Sequence, residues 1–259
     1  MGLPLYQLAI AFGLLFVRVL AVIIAAPVTG ELGFPWRLRV LLSLFMAAAF
    51  FPFAAVETEW LKADVIVIAL LAAREFIVGA GIGLVLGIVY SAFRLAGETV
   101  GHTMGIAIAN VVDPLQDVEV SVIGEFWYFT ALAVFLAADG HVYLVRAVQE
   151  SAQIAPVGAL SAFSVKGMLA VMVESTGVMF VFAARLLLPV VGVVFTALFG
   201  MGFLGRMIPQ MHVFIVGFPL MLGIGLLGLY FALPASAYLV DELVGESARL
   251  WGGWLRACS

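Results

Sequence analysis

The sequence predicts an all-α integral-membrane helical bundle with kinked helices and one glycine-rich re-entrant loop. Three observations carry that expectation. Hydrophobic residues make up 65% of the 259 residues and charged ones only 11%, with a mean hydropathy of +1.21, whereas soluble domains are roughly one quarter charged. Six apolar runs lie at 3–26, 38–56, 65–93, 122–138, 167–204 and 211–240, near or above the roughly 20 helical residues that cross a bilayer. Small residues then recur every fourth position, as Gly79, Gly83 and Gly87 and again as Gly97, Gly101, Gly105 and Ala109. That spacing gathers them on one helical face, where another backbone can approach closely.

Taken in order, the first run lacks the basic n-region and short core of a cleaved signal and reads as a retained span. Connectors are marked by Pro27 to Pro35, by Glu57 to Asp64, and by 139–166, which contains Pro156. The third and fifth runs exceed a simple crossing, so they are expected to tilt, break or project beyond the bilayer. Pro189 and Pro219 lie inside apolar runs, where each removes a backbone hydrogen bond and favours a kink. No polar stretch is long enough for a soluble domain, so 1–259 reads as one bundle closed by a tail at 241–259 that carries Trp251 and Trp254. Arg37 and Arg39 favour a cytoplasmic first loop, but 98–125 holds five acids and no Lys or Arg, leaving orientation unspecified.

Arg18 interrupts the first run, Arg74 and Glu75 the third, and Glu174 and Arg185 the fifth. An ionised group at the bilayer centre costs about 2.5–3.5 kcal/mol on insertion scales, so such positions face protein or water. Two readings stand: functional groups, or groups that snorkel or form fixed interhelical pairs. Arg74 and Glu75 point about 100° apart on a helix, so each is expected to need another partner. Glu174 and Arg185 share a face but lie about 16 Å apart along it, too far to pair. The small-residue faces fit internal packing or contact with another subunit. Glu98, Thr99, His102, Thr103 and Asn110 would be unsatisfied beside lipid tails, which places 97–114 inside protein or beside a water path. Met201, Met207, Met211 and Met221 suit core filling or a deformable constriction.

Catalytic and nucleic-acid functions find little support. The one cysteine, Cys258, excludes an internal disulfide or a cysteine metal cluster. His102, His141 and His212 are scattered, with no H-E-x-x-H and no phosphate-binding loop. No basic run suggests nucleic-acid binding. No catalytic residue, metal or cofactor is expected, and the chain reads as a non-enzyme. A secondary transporter is the alternative, with Arg74, Glu75, Glu174 and Arg185 lining a midplane site. It predicts related halves, and no convincing repeat is evident.

Four strings decide more. REFIVGAGIGLVLG (74–87), RLAGETVGHTMGIAIANVVDP (94–114), DGHVYLV (139–145) and GRMIPQMHVFIVGFPL (205–220), in this order and spacing, resemble the FliR/SpaR/YscT-like family of type III secretion export-gate proteins. The motif positions are Asp113, Pro114, Arg206, Pro209, Gln210, Phe214, Gly217 and Pro219. The resemblance implies a non-enzymatic structural and gating subunit of the flagellar export channel, in the bacterial inner membrane at the flagellar basal body. Implied partners are FliP-like and FliQ-like subunits in a spiral hetero-oligomer, an FlhB-like export protein, and unfolded secreted flagellar proteins, with no nucleic acid. About 1–165 is implied to be FliP-like and about 166–240 a FliQ-like helical hairpin. The family's channel plug falls on Gly105, Ile106, Ala107, Ile108, Ala109, Asn110, Val111 and Val112. A bend at Gly105 and small aliphatic side chains suit that role, and a glycine-rich packing loop is the other reading of the same residues.

Overall fold

The computed structural model describes residues 5–30, 34–57, 64–105, 121–159, 164–207 and 213–258, with backbone only at 5 and 213–215. Its helices are α1 (Leu5–Ala25), α2 (Trp36–Phe50), α3 (Val65–Thr103), α4 (Val122–Ala137), α5 (Gly140–Ile154), α6 (Val165–Met207) and α7 (Val213–Cys258). A single 3-10 turn, Phe51–Phe53, follows α2, and the β-structure among the described residues is one isolated parallel bridge between Val56 and Val157. The all-α expectation is met. Among the described residues, five helices, α1, α2 with its 3-10 turn, α3, α6 and α7, are long and apolar enough to cross a membrane. The pair α4 and α5 bends by 71° at its break and would make a sixth passage only as one broken span. The protein is a membrane protein.

Three boundaries differ from the sequence expectation. α3 continues past the end of the third apolar run, expected at 93, through Gly97 and Gly101 to Thr103, which places both glycines on a helix as their spacing predicts. Glycine disfavours helix by itself, and here it is tolerated because the face the glycines make is packed against another helix. The expected connector after Asp139 contains α5, whose buried Ala147, Val148, Ser151 and Ala152 share one face while Arg146 and Glu150 lie outside it. A search for apolar runs passes over such a two-faced helix. The tail is likewise helical, forming the last turns of α7. Pro189 in α6 and Pro219 and Pro234 in α7 lie within continuous helices.

The chain forms two compact units. One comprises Met1–Val89, Asp139–Thr176 and Val244–Ser259, and the other Tyr90–Ala138 and Gly177–Leu243. In the first, α3 lies directly on α1: a Cβ on Gly83 would sit 2.6 Å from the Ala25 Cβ, and one on Gly79 would overlap the Arg18 carbonyl. Gly87 is looser, 3.4 Å from the Ala25 carbonyl by the same measure. Across them runs the end of α7, with Ser247, Leu250, Trp251, Trp254, Leu255 and Cys258 buried at helical spacing.

In the second unit, the later half of α3 meets α4. A Cβ on Gly97 would fall 2.5 Å from the Gly124 Cα, so both glycines permit this crossing. Tyr90 meets Phe135 edge to face, with ring centroids 5.1 Å apart. α4 is started by Ser121, whose hydroxyl accepts from the Gly124 N–H at 3.2 Å, with Glu125 in the first turn. Both features favour a helix N-terminus.

Candidate functional site

The first candidate is the set of charges inside the apolar runs. Arg18 and Glu75 are both 0% exposed and pair at 2.5 Å through Nη2 and Oε2. The Arg18 Nη1 also donates to the Ser151 carbonyl at 2.7 Å, and the Gly158 N–H donates to Glu75 Oε1 at 3.1 Å. Arg74 donates from Nη2 to the Cys258 carbonyl at 3.0 Å and approaches Glu75 Oε1 at 3.5 Å. One carboxylate therefore lies between two guanidinium groups, with backbone groups completing the shell. Glu75 does find another partner in Arg18. Arg74 likewise finds one in the Cys258 carbonyl, and these long side chains also bridge the helical angle to approach each other at 3.5 Å.

Glu174 and Arg185 do not pair with each other, as their spacing requires. Glu174 meets Arg249 at 2.7 Å in the first unit, and Arg185 meets Glu242 at 2.8 Å in the second, all about half exposed. The charges thus sit in fixed pairs with separate partners. Chemically, Arg18 and Glu75 suit cross-bracing of α1, α3 and the end of α5, since a fully buried pair has no face for an incoming solute.

The second candidate begins where α3 ends. Met104 is fully buried, and a Cβ on Gly225 of α7 would lie 2.5 Å from its Cγ and Cε. Gly105 has φ of 80°, with its N–H donating to the His102 carbonyl at 3.1 Å. Only glycine adopts that conformation without strain, so Gly105 turns the chain out of the helix, as its predicted bend requires. Ile106, Ala107, Ile108, Ala109, Asn110, Val111, Val112, Asp113 and Pro114 lie outside the described residues.

Of the motif shared by the end of α6 and the start of α7, Arg206 is exposed in the last turn of α6. Gly217 is buried, 3.3 Å by its would-be Cβ from the Met201 Cε, and Pro219 is exposed within α7. Phe214 is in the first turn of α7, and Pro209 and Gln210 lie outside the described residues. Nearby α6 presents Phe195, Phe199 and Phe203 on one face, the latter two each 71% exposed. An apolar groove of about 760 Å³ runs between α6 and α7, lined by Pro189, Val193, Ile224, Leu227 and Phe231 among others.

Sequence reasoning missed three features of these sites. Ser151 and Gly158 complete the buried charge cluster through backbone atoms, which leave no signal in residue type. Arg94 pairs with Glu125 at 2.9 Å and stacks over Tyr128 at 4.1 Å, a contact 31 residues apart in the chain. The buried stripe from Ser247 to Cys258 was legible at helical spacing, but a tail at the end of the last apolar run is easily read as unattached.

The family model described as bacterial export proteins, family 1, matches residues 9–247. Among curated proteins, the chain is 29% identical over 231 residues to the flagellar biosynthetic protein FliR of Pectobacterium carotovorum subsp. carotovorum, covering 89% of this chain and 87% of that one. It is 28% identical to flagellar biosynthetic protein FliR of Escherichia coli (strain K12), covering 88% and 86%. With the protein of the same name from Bacillus subtilis (strain 168) it shares 29% identity, covering 83% and 82%.

Proposed function

The chain belongs to the bacterial export proteins, family 1, and on that premise we propose that it is a structural and gating subunit of a flagellar protein-export channel. It resides in the bacterial inner membrane at the flagellar basal body and assembles with FliP-like and FliQ-like subunits, next to an FlhB-like export protein. It carries unfolded flagellar proteins outward without catalysing a reaction or holding a cofactor. The observation that carries this reading is the match over 9–247 together with relatives named flagellar biosynthetic protein FliR along most of their own lengths. Exposed aromatic residues along α6 support it, because protein neighbours suit such faces. The fixed pairing of Arg18 and Glu75 favours it over a transporter with a midplane solute site.

Within that assembly, residues 1–165 take the FliP-like part and 166–240 the FliQ-like hairpin. Gly105 to Val112 form the plug. The positive φ of Gly105 supports this assignment by ending the helical conformation of α3 at the point where the plug begins. Bulk alone closes a hydrophobic constriction. Deleting the gene should abolish secretion of flagellar proteins, and the full chain should restore it. Shortening Gly105 to Val112, with Gly97, Gly101, Asp113 and Pro114 kept, should leave the complex assembled and let ions or small solutes through the membrane. Secretion that persists without the gene refutes the export role; an assembled, shortened complex in a tight membrane makes this segment a packing loop.

A further inference from the structure

Four hydrogen bonds of the end of α7 have no counterpart in the export reading and point to a device within the first unit. Trp251 Nε1 donates to the Ile82 carbonyl at 3.0 Å, and Trp254 Nε1 donates to the Val78 carbonyl at 3.1 Å. Val78 and Ile82 are one helical turn apart on α3, and Trp251 and Trp254 lie one turn apart on α7. The two indoles therefore lie along α3 like rungs. Between their acceptors sits Gly81, and any Cβ there would overlap the Trp254 ring. This explains a glycine that belongs to neither four-residue ladder.

The last carbonyls of α7 are satisfied from two other directions. Ala257 accepts from the Ser164 N–H at 2.9 Å, just before α6, and Cys258 accepts from Arg74 Nη2 at 3.0 Å. A helix C-terminus normally leaves such carbonyls without helical donors. Here the donors come from segments far away in sequence, one of them an arginine that also approaches the buried Glu75. The end of α7 thus bonds to α3, to the entry of α6 and to the charge cluster at once, with its apolar stripe buried.

In chain order, 244–258 follows every other part of this unit. We propose that 244–258 is a closing strap with Gly81 as its seat, so that the first unit reaches its final packing only when this segment docks on α3. Until then the carbonyls of Val78 and Ile82 lack the indoles, Arg74 lacks the Cys258 acceptor, and a stripe of α3 stays uncovered. Correct closure consequently follows synthesis of α6 and most of α7, and the α1–α3 packing made earlier remains incomplete. The inference is independent of the export reading, since it concerns contacts within one chain.

Cys258, the chain's one cysteine, is fully buried in the docked strap and reports its release. In isolated membranes containing the full chain and its export partners, maleimide labelling of Cys258 should be slow. Gly81→Leu or Trp254→Ala should accelerate it by at least about tenfold, as expected when a local unit opens more readily than the whole. Should Gly81→Leu not accumulate, Trp254→Phe, which keeps an aromatic ring but loses the indole N–H and part of its bulk, should still label faster than the parent. A second reporter, Ala96→Cys in a Cys258→Ser chain, is buried in the other unit and should stay slow when combined with Trp254→Ala. Cys258 labelling as slow as the parent in Trp254→Ala overturns the strap. So does parallel exposure of the Ala96→Cys reporter, which would mean general unfolding.

Discussion

Glu75 is the side chain on which the interior of the first unit most depends. It lies between Arg18 and Arg74 with no exposed surface, so its removal leaves buried positive charge with fewer partners. Breaking one side of a buried pair typically costs about 3–5 kcal/mol, whereas replacing both partners by apolar residues is often near neutral. Glu75→Ala should therefore sharply lower the amount of folded protein in membranes, and Arg18→Met with Glu75→Leu should recover part of it, Arg74 keeping the Cys258 carbonyl, as read by quantitative immunoblot and by temperature of aggregation. Equal loss in the single and double variants would mean the charge itself, and not its compensation, is required. Arg185 and Glu242 form a contrast, half exposed at 2.8 Å. Glu242→Gln should alter stability by at most about 1 kcal/mol, the usual worth of an exposed pair. Which apolar runs held charges was legible in the sequence. Their partners were not, because Arg18 and Glu75 are 57 residues apart and the shell around them is partly backbone.

At the scale of elements, the helical glycines divide into close positions on the ladders and open positions off them. Gly79 and Gly83 press on α1, and Gly97 presses on Gly124 of α4, while Gly13, Gly177 and Gly192 have nothing within 4 Å of a would-be Cβ. Internal packing, one of the two readings of the ladders, accounts for all three close positions. Overpacking usually costs about 1–3 kcal/mol, and Gly83→Leu meets both side chain and backbone of Ala25. It should lower the aggregation temperature and impair copurification with partners. Gly192→Ala, in an open helical position, should instead be neutral or stabilise by up to about 1 kcal/mol through helix propensity. Normal assembly and stability in Gly83→Leu would refute a close α1–α3 contact. The long apolar helices were plain in the sequence because their signal is additive over many residues. α5 was hidden because only one of its faces is apolar, and the end of α7 because polar residues between Trp251 and Glu242 break the hydropathy signal while leaving the buried stripe intact.

At the scale of the molecule, the described surface exposes many large apolar side chains, including Phe45 on α2, Phe199 and Phe203 on α6, and Phe231 and Tyr238 on α7. Lipid satisfies such faces, and so do the helices of sister subunits. On the proposed export reading, helices of sister subunits cover at least part of this surface. Expression without FliP-like and FliQ-like partners should accordingly give aggregation or degradation, measured as loss of the membrane-extractable chain relative to coexpression. Hydropathy could indicate spans but not how much of each meets lipid, since both environments select the same residues. The assembly itself is the central claim, and the mass of the native particle tests it most directly. A tagged chain extracted in mild detergent from cells carrying the whole export system should be weighed intact by native mass spectrometry. The account predicts a stable hetero-oligomer containing FliP-like and FliQ-like subunits, and a well-behaved, solute-transporting monomer of this chain alone would contradict it.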